Sequence, residues 1–381
     1  MDELHDLRRE IDAIDAQLTA LFQRRMKVAG QVGQYKLERG LPVLDRAREA
    51  EVLAKKAALA EEPFKGDVTD LFETVMAISR RRQQRLMAAG EAPAWLKELN
   101  AAMESARTPL PKGQARILYQ GEPGAYSEEA AADFFGEDCR RDRAALWEDI
   151  FAALRDGRAD YGVLPIENSS TGSINQVYDL LAKYGGYIVG EQTVRVNHCL
   201  LAPRGADISA LRRIFSHEQG LLQCAEYLKA HPDWEQTALR NTALAAKKVA
   251  QDGDPAQAAI GSRRCAALYG LDVLAEGINF NRENFTRFVV VSPVMELREG
   301  REKVSLLFTL SHQSGTLYRL LSVFAHEGLN LLKLESRPIP GRPWEYRFFV
   351  DFTGDLTDPG MAERLRDAAE TAENFRVLGN Y

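Results

Sequence analysis

The pattern of apolar and polar positions divides the 381-residue chain into stretches of different period. Leu4, Leu7, Ile11, Ile14, Leu18, Leu21, Val28, Val32 and Tyr35 fall on alternating steps of three and four, which predicts one long helix with a single apolar seam. A second helix begins near Asp45, where Asp45, Arg48, Glu49, Val52 and Leu53 share a face. A third carries Val68, Phe72, Val75, Ser79 and Gln83 on one stripe. No convincing strand occurs in residues 1–88. Residues 89–114 read as a linker with a short helix around 95–103.

Beyond the linker the period changes. Residues 115–293 alternate β-rich runs with helical stretches, the strands expected at 116–120, 161–165, 187–196, 258–261 and 288–292. Residues 302–381 read as strand 303–311, helix 316–327, strands 329–337 and 346–353, helix 358–370 and strand 375–380. That βαββαβ order is ferredoxin-like. Three folded domains follow, at 1–88, 115–293 and 302–381.

Composition narrows the class. The net charge of −6 supplies no basic excess for a nucleic acid. Residues 1–88 hold 16 Lys and Arg against 15 Asp and Glu, so a near-neutral segment concentrates arginines at a few places, which suits a small anion. Cys139, Cys199, Cys224 and Cys265 are scattered without a CxxC pair and read as free thiols. An acidic, polar N-terminus and no apolar run near ~20 residues predict a cytoplasmic protein without membrane contact.

One residue breaks the first seam. Arg25 sits where a hydrophobe belongs, and Lys36, 11 residues on, lies about 20° round the helix on the same face. An unpaired charge in an apolar setting is costly, so the two cations require either an acid from another helix or a bound anion. All three helices run from apolar packing into Arg, Lys, Asp, Glu, Ser and Gln, which reads as a polar pocket. A helix spanning 4–36 puts Arg8 about 26 Å from Arg25. If Arg8 serves the same ligand, it comes from a second copy, and a homodimer or higher homo-oligomer is expected.

The motifs Leu7-Arg8-Arg9-Glu10-Ile11-Asp12, Arg24-Arg25-Met26-Lys27, Gly33-Gln34-Tyr35-Lys36, Asp45-Arg46-Ala47-Arg48-Glu49 and Ser79-Arg80-Arg81-Arg82-Gln83 resemble the all-helical chorismate mutase domain across residues 4–88. The resemblance implies that Arg8, Arg25 and Arg48 meet the substrate carboxylates and that Lys36 and Gln83 meet the ether oxygen. It also gives Glu49 the ring hydroxyl and leaves Asp45 and Ser79 to support the site. That rearrangement is pericyclic. It needs a clamped conformer and donors at an oxygen gaining charge, with no cofactor or metal.

In the middle region, Gly124-Ala125-Tyr126-Ser127, Glu167-Asn168-Ser169 and Ser216-His217-Glu218-Gln219 place short polar residues at helix starts, consistent with either simple capping or anion binding. Asn284-Phe285-Thr286-Arg287-Phe288 puts a hydroxyl and a cation at the mouth of an apolar run. These motifs resemble the prephenate dehydratase domain, which implies two α/β lobes around a cleft, like periplasmic solute-binding proteins. By that resemblance Thr286 donates or positions a proton. Arg287 and nearby backbone amides anchor a carboxylate, Asn168, Ser216 and Gln219 orient the ring, and Ser169 belongs to the same site. His217 reads as a structural or surface histidine.

At the C-terminal end, Ser314-Gly315-Thr316-Leu317-Tyr318 and Glu335-Ser336-Arg337-Pro338 are similar to the two loops of the ACT regulatory domain. Gly315, Thr316, Leu317, Glu335, Ser336 and Arg337 are then the phenylalanine-binding positions, although Thr316 and Tyr318 replace the smaller Ala and Val of the family motif. The three segments together resemble the bifunctional chorismate mutase/prephenate dehydratase family. The expectation is a multidomain enzyme that converts chorismate through prephenate to phenylpyruvate under phenylalanine control. The rival reading keeps the dehydratase and reduces the helical domain to a dimerisation module. A non-catalytic binding protein would leave the arginines of residues 1–88 unexplained.

Overall fold

The computed structural model describes residues 2–87, 92–111 and 113–381, so four positions near the start of the expected linker (88–91) and residue 112 lie outside it. The described residues form two compact units, 1–94 and 95–381. No helix among them is long and apolar enough to cross a membrane.

The first unit is three helices: α1 (Asp2–Glu38), α2 (Arg46–Leu59) and α3 (Lys65–Met87). Asp45 caps α2, its side chain accepting from the Arg48 backbone N–H at 3.0 Å. Met26, Ala29, Gly33, Met76, Ser79 and Gln83 form the buried contact of α1 with α3. Gly33 lets the two helices approach closely there, since a Cβ would lie 3.0 Å from Gln83 Cγ and 3.2 Å from its Cα. The buried face is one step round from the apolar seam. Leu4, Leu7, Ile11, Ile14, Leu18, Leu21, Val28, Val32 and Tyr35 are all 42–62% exposed. The seam is thus an uncovered stripe on a single chain.

In the second unit the chain builds two α/β lobes and a four-stranded sheet. The first lobe's sheet runs in the order Arg141–Ala144, Ile117–Gln120, Tyr161–Asn168, Phe285–Ser292, Tyr187–Arg195, with Gly172–Ser173 added on Tyr161–Asn168. Phe285–Ser292 lies antiparallel between two neighbours. A central strand is covered on both faces, which is why Phe288, Val289, Val290 and Val291 read as an unbroken apolar run. The second lobe's sheet runs Asp272–Glu276, Cys199–Ala202, Gln257–Gly261, Arg213–His217, Glu235–Leu239. Four of those five strands are additional to the sequence reading. They are short, and only Gln257–Gly261 and Cys199–Ala202 are buried at every position.

Two crossovers join the lobes, at 195–199 and 276–285. They are tied together by Val196 N–H to Asn284 O at 2.8 Å and Ile278 N–H to His198 O at 3.1 Å. The C-terminal sheet has the order Leu331–Ile339, Arg342–Thr353, Lys303–Thr309, Glu373–Asn380, antiparallel throughout, as the βαββαβ pattern requires. One face packs on helices Thr316–His326 and Met361–Thr371, and on Leu99 and Ala102 of helix Ala94–Glu104. The other carries Leu307, Phe349 and Leu378 into the core of the first lobe. All four cysteines are buried free thiols.

Candidate active sites

In the helical unit, Arg25 is half-buried and its guanidinium donates to Ser79 Oγ and, at 3.5 Å, to the Val75 carbonyl. Burial lowers its pKa, and no carboxylate pairs with it among the described residues. Ser79 in turn donates to Val75 O at 2.9 Å. Because Arg25 meets Ser79 and Gly33 meets Gln83, α1 and α3 run in the same direction with the polar groups stacked along their contact. Gln83 is buried, and its Oε1 has no hydrogen-bond partner. Lys36 Nζ donates to Val43 O at 2.6 Å, at the entry to α2. Among the described residues no carboxylate pairs with Arg25 or Lys36.

The other helical positions are differently placed. Glu49 is ion-paired with Arg80, which the sequence reading passed over. Arg48 is exposed and bound to Glu51 at 2.6 Å. Arg8 is exposed, 17 residues before Arg25 on the same helix.

In the two-lobed region, Asn168 ends one strand and Thr286 sits directly across from it on the neighbouring strand. Asn168 Nδ2 donates to Thr286 Oγ1 at 2.9 Å, to Asn284 Oδ1 at 2.8 Å and to Phe285 O at 3.1 Å. Both Thr286 and Arg287 lie within the strand Phe285–Ser292, not ahead of it, so they point to opposite faces. Arg287 is 3.1–3.2 Å from each of Asp351, Glu191 and Glu167. Those carboxylates outweigh its desolvation and raise its pKa. Its guanidinium serves the protein.

Ser169 Oγ donates to Glu283 O at 3.0 Å and accepts from Phe285 N–H. Ser216 is fully buried and donates to Ile260 O at 2.8 Å. Gln219 is exposed, and its backbone N–H donates to His217 Nδ1, so His217 caps the helix Glu218–Gln223.

The regulatory loops face two ways. Gly315 adopts φ 77° to open helix Thr316–His326, and Thr316 is buried with its hydroxyl on Gln313 O at 3.0 Å. Thr316 and Leu317 line a cavity with Leu310, Trp344, Tyr346 and Phe348. On Leu331–Ile339, side chains alternate. Ser336 is exposed, while Glu335 meets Ser173 and Arg337 pairs with Asp179 at 2.7 Å, both on the first lobe. Lys333 bridges the same interface to Glu167 at 2.6 Å.

Three families match this chain in order: chorismate mutase type II over residues 7–84, prephenate dehydratase over 117–296 and the ACT domain over 304–370. A bifunctional chorismate mutase/prephenate dehydratase of Escherichia coli K12 is 36% identical over 98% of this chain and 95% of its own length. The chain belongs to the bifunctional chorismate mutase/prephenate dehydratase family. Its counterpart in Aquifex aeolicus is 30% identical over 100% of this chain and 98% of its own length. A prephenate dehydratase from Arthrobacter aurescens, solved with L-Phe, superposes with a TM-score of 0.64 at 31% identity. It spans 70% of this chain and 89% of its own.

This member of the family is an enzyme with an isomerase domain and a lyase domain, followed by a regulatory domain. Sequence reasoning missed Asn284, Gln223 and His198 near Thr286, and Lys333 and Asp351 around Arg287. Only Asn284 stood within a quoted motif; the others carry no local signal.

Proposed function

We propose that the helical unit rearranges chorismate to prephenate and that the cleft next to Thr286 converts prephenate to phenylpyruvate. The observation that carries the first assignment is Arg25, a desolvated cation whose protein partners are neutral oxygens. A dicarboxylate completes that environment where a serine hydroxyl and a carbonyl do not. Arg25 and Arg48 hold carboxylates, and Lys36 and Gln83 donate to the ether oxygen as its bond to the ring breaks and the new carbon–carbon bond forms. Glu49, held by Arg80, takes the ring hydroxyl, while Asp45 fixes the start of α2 and Ser79 orients Arg25.

Arg8 completes the pocket of a second copy. Its distance from Arg25 along one helix and the exposed seam of α1 both support a dimer paired through α1. Mixing Arg8→Ala with Arg25→Ala chains tests this, because a mixed dimer retains one intact site. Mutase activity should return to about a quarter of wild type from two inactive variants. No recovery after complete subunit exchange sinks the shared site.

For the second reaction, the ring carboxylate leaves as carbon dioxide and its bonding electrons enter the ring. The ring hydroxyl departs and takes a proton to become water. Thr286 supplies or relays that proton, supported by Asn168, which donates to its oxygen and leaves its hydrogen free. Ser169 and the exposed Gln219 border the cleft, and buried Ser216 shapes it from beneath. Arg287 acts through Glu167 and the C-terminal sheet rather than on substrate. Loss of phenylpyruvate formation in Thr286→Ala, with chorismate consumption intact, is the expected result. A full dehydratase rate in that variant ends the assignment.

Phenylalanine binds at Gly315, Thr316 and Leu317 together with Glu335, Ser336 and Arg337, and inhibits the dehydratase. The bonds from Glu335 and Arg337 to the first lobe support a direct path from effector to cleft. Dehydratase rates that do not change at saturating phenylalanine would remove this part.

A further inference from the structure

We propose that Asn284, Gln223, His198 and Tyr126 are positioning residues that hold the Asn168 amide, oriented by its backbone partners, against Thr286 Oγ1 and so leave the Thr286 hydroxyl hydrogen for the substrate. This rests on the assignment of Thr286 as proton donor.

Direction begins at two backbone groups. Asn168 Oδ1 receives the N–H of Ser170 at 2.9 Å and of Thr171 at 3.0 Å. A backbone N–H only donates, so that corner of the amide is the oxygen and the other is the NH2. Asn168 Nδ2 therefore donates to Asn284 and to Thr286. The Asn284 atom it meets is then Oδ1, which turns Asn284 Nδ2 toward Gln223 at 3.0 Å. The Gln223 atom there must be Oε1, and the same oxygen lies 2.9 Å from His198 Nε2. Since Gln223 Oε1 can only accept, His198 carries its hydrogen on Nε2.

His198 is 2% exposed, and burial lowers its pKa to about 4, so the ring is neutral and Nδ1 is bare. Tyr126 Oη lies 3.3 Å from that nitrogen and 3.1 Å from Asn197 O. Asn284 is fully buried, and Gln223, Asn168 and Thr286 are each 7–8% exposed. Water therefore cannot repair a reversed link, and one reversal sets donor against donor or acceptor against acceptor down the chain. At the far end Thr286 Oγ1 accepts from Asn168 and donates to nothing among the described residues.

The members come from both lobes and both crossovers. Asn168 and Thr286 belong to the first lobe's sheet and Tyr126 to its first helix. His198 and Asn284 lie in the two crossovers, and Gln223 ends a helix of the second lobe. The groups that support Asn168 and Thr286 thus come from both lobes and from the crossovers between them.

Two measurements test this. In the wild-type enzyme labelled with ¹⁵N-histidine, His198 should show the Nε2–H tautomer; an Nδ1–H tautomer overturns the proposal, and this needs no variant. Gln223→Leu should lower the dehydratase kcat by about tenfold or more with KM within about threefold. Gln223→Glu should restore most of kcat, because carboxylate oxygens accept from both Asn284 and His198. A Glu variant as slow as the Leu variant, or a Leu variant with wild-type kcat, also overturns it. If Thr286→Ala is inactive while Gln223→Leu is normal, the positioning claim alone falls. If Thr286→Ala is fully active, the donor assignment itself fails.

Discussion

Thr286 and Arg287 are consecutive on one strand and serve opposite faces of the sheet: Thr286 accepts from Asn168 at 2.9 Å on the cleft side, and Arg287 reaches Asp351 of the C-terminal sheet at 3.1 Å. The same alternation repeats across the ladder, where Asn168 pairs with Thr286 and Glu167 with Arg287. A one-residue step therefore joins the proposed proton donor to the interface with the regulatory domain.

Removing the guanidinium at this interface should be costly. Arg287→Met leaves Glu167, Glu191 and Asp351 without their shared partner, and because the cluster is only partly buried the cost falls below the about 3–5 kcal/mol of a fully buried pair. The melting temperature of the second unit, followed by calorimetry, should fall, and phenylalanine should lose its effect on the rate. An unchanged melt would show that Lys303 and Lys333 alone balance the three acids.

Arg25→Met should separate stability from activity. A desolvated cation is replaced by an apolar side chain on an apolar seam, so the helical unit should melt no lower than wild type. Chorismate turnover, followed by absorbance, should drop by about 10²-fold or more in kcat/KM, because the carboxylate clamp that holds the reactive conformer is lost. Phenylpyruvate formation from added prephenate should be unaffected.

His198 predicts an acid-side loss of stability. Its folded pKa of about 4 lies below the ordinary histidine value, so between about 6.5 and 4 the unfolded chain binds a proton that the folded one does not. Stability of the second unit is then full above about pH 6.5 and falls as pH drops toward 4. Burial depresses His217 in the same direction. Urea midpoints measured from pH 7.5 to 4 should show this slope, and His198→Gln should flatten part of it. A slope of unchanged size in that variant would place the cause elsewhere.

Asp179→Asn should sharpen the response to phenylalanine. Asp179 holds Arg337 through two bonds, at 2.7 and 3.1 Å, and competes with an amino-acid carboxylate for the same guanidinium. Half-inhibition of the dehydratase should therefore occur at a phenylalanine concentration about threefold or more lower. A shift to higher concentration would mean that the pair supports the inhibited form.

What the sequence determined about this protein is whatever repeats locally. The three-and-four spacing from Leu4 to Tyr35 specifies α1 and exposes Arg25 as its exception, and the βαββαβ order of residues 303–380 needs nothing beyond adjacent periods. Asp45 is a helix cap because capping is a contact between near neighbours. The tertiary structure decided the rest. Phe285–Ser292 is a strand with Thr286 and Arg287 on opposite faces because it pairs on both sides, and the short strands of the second lobe exist because partners complete their hydrogen bonds. Asn168, His198, Gln223 and Asn284 stand 25 to 116 residues apart along the links that join them. A polar side chain at such a separation leaves no period in the chain, and its meaning comes only from the partner that folding brings within 3 Å.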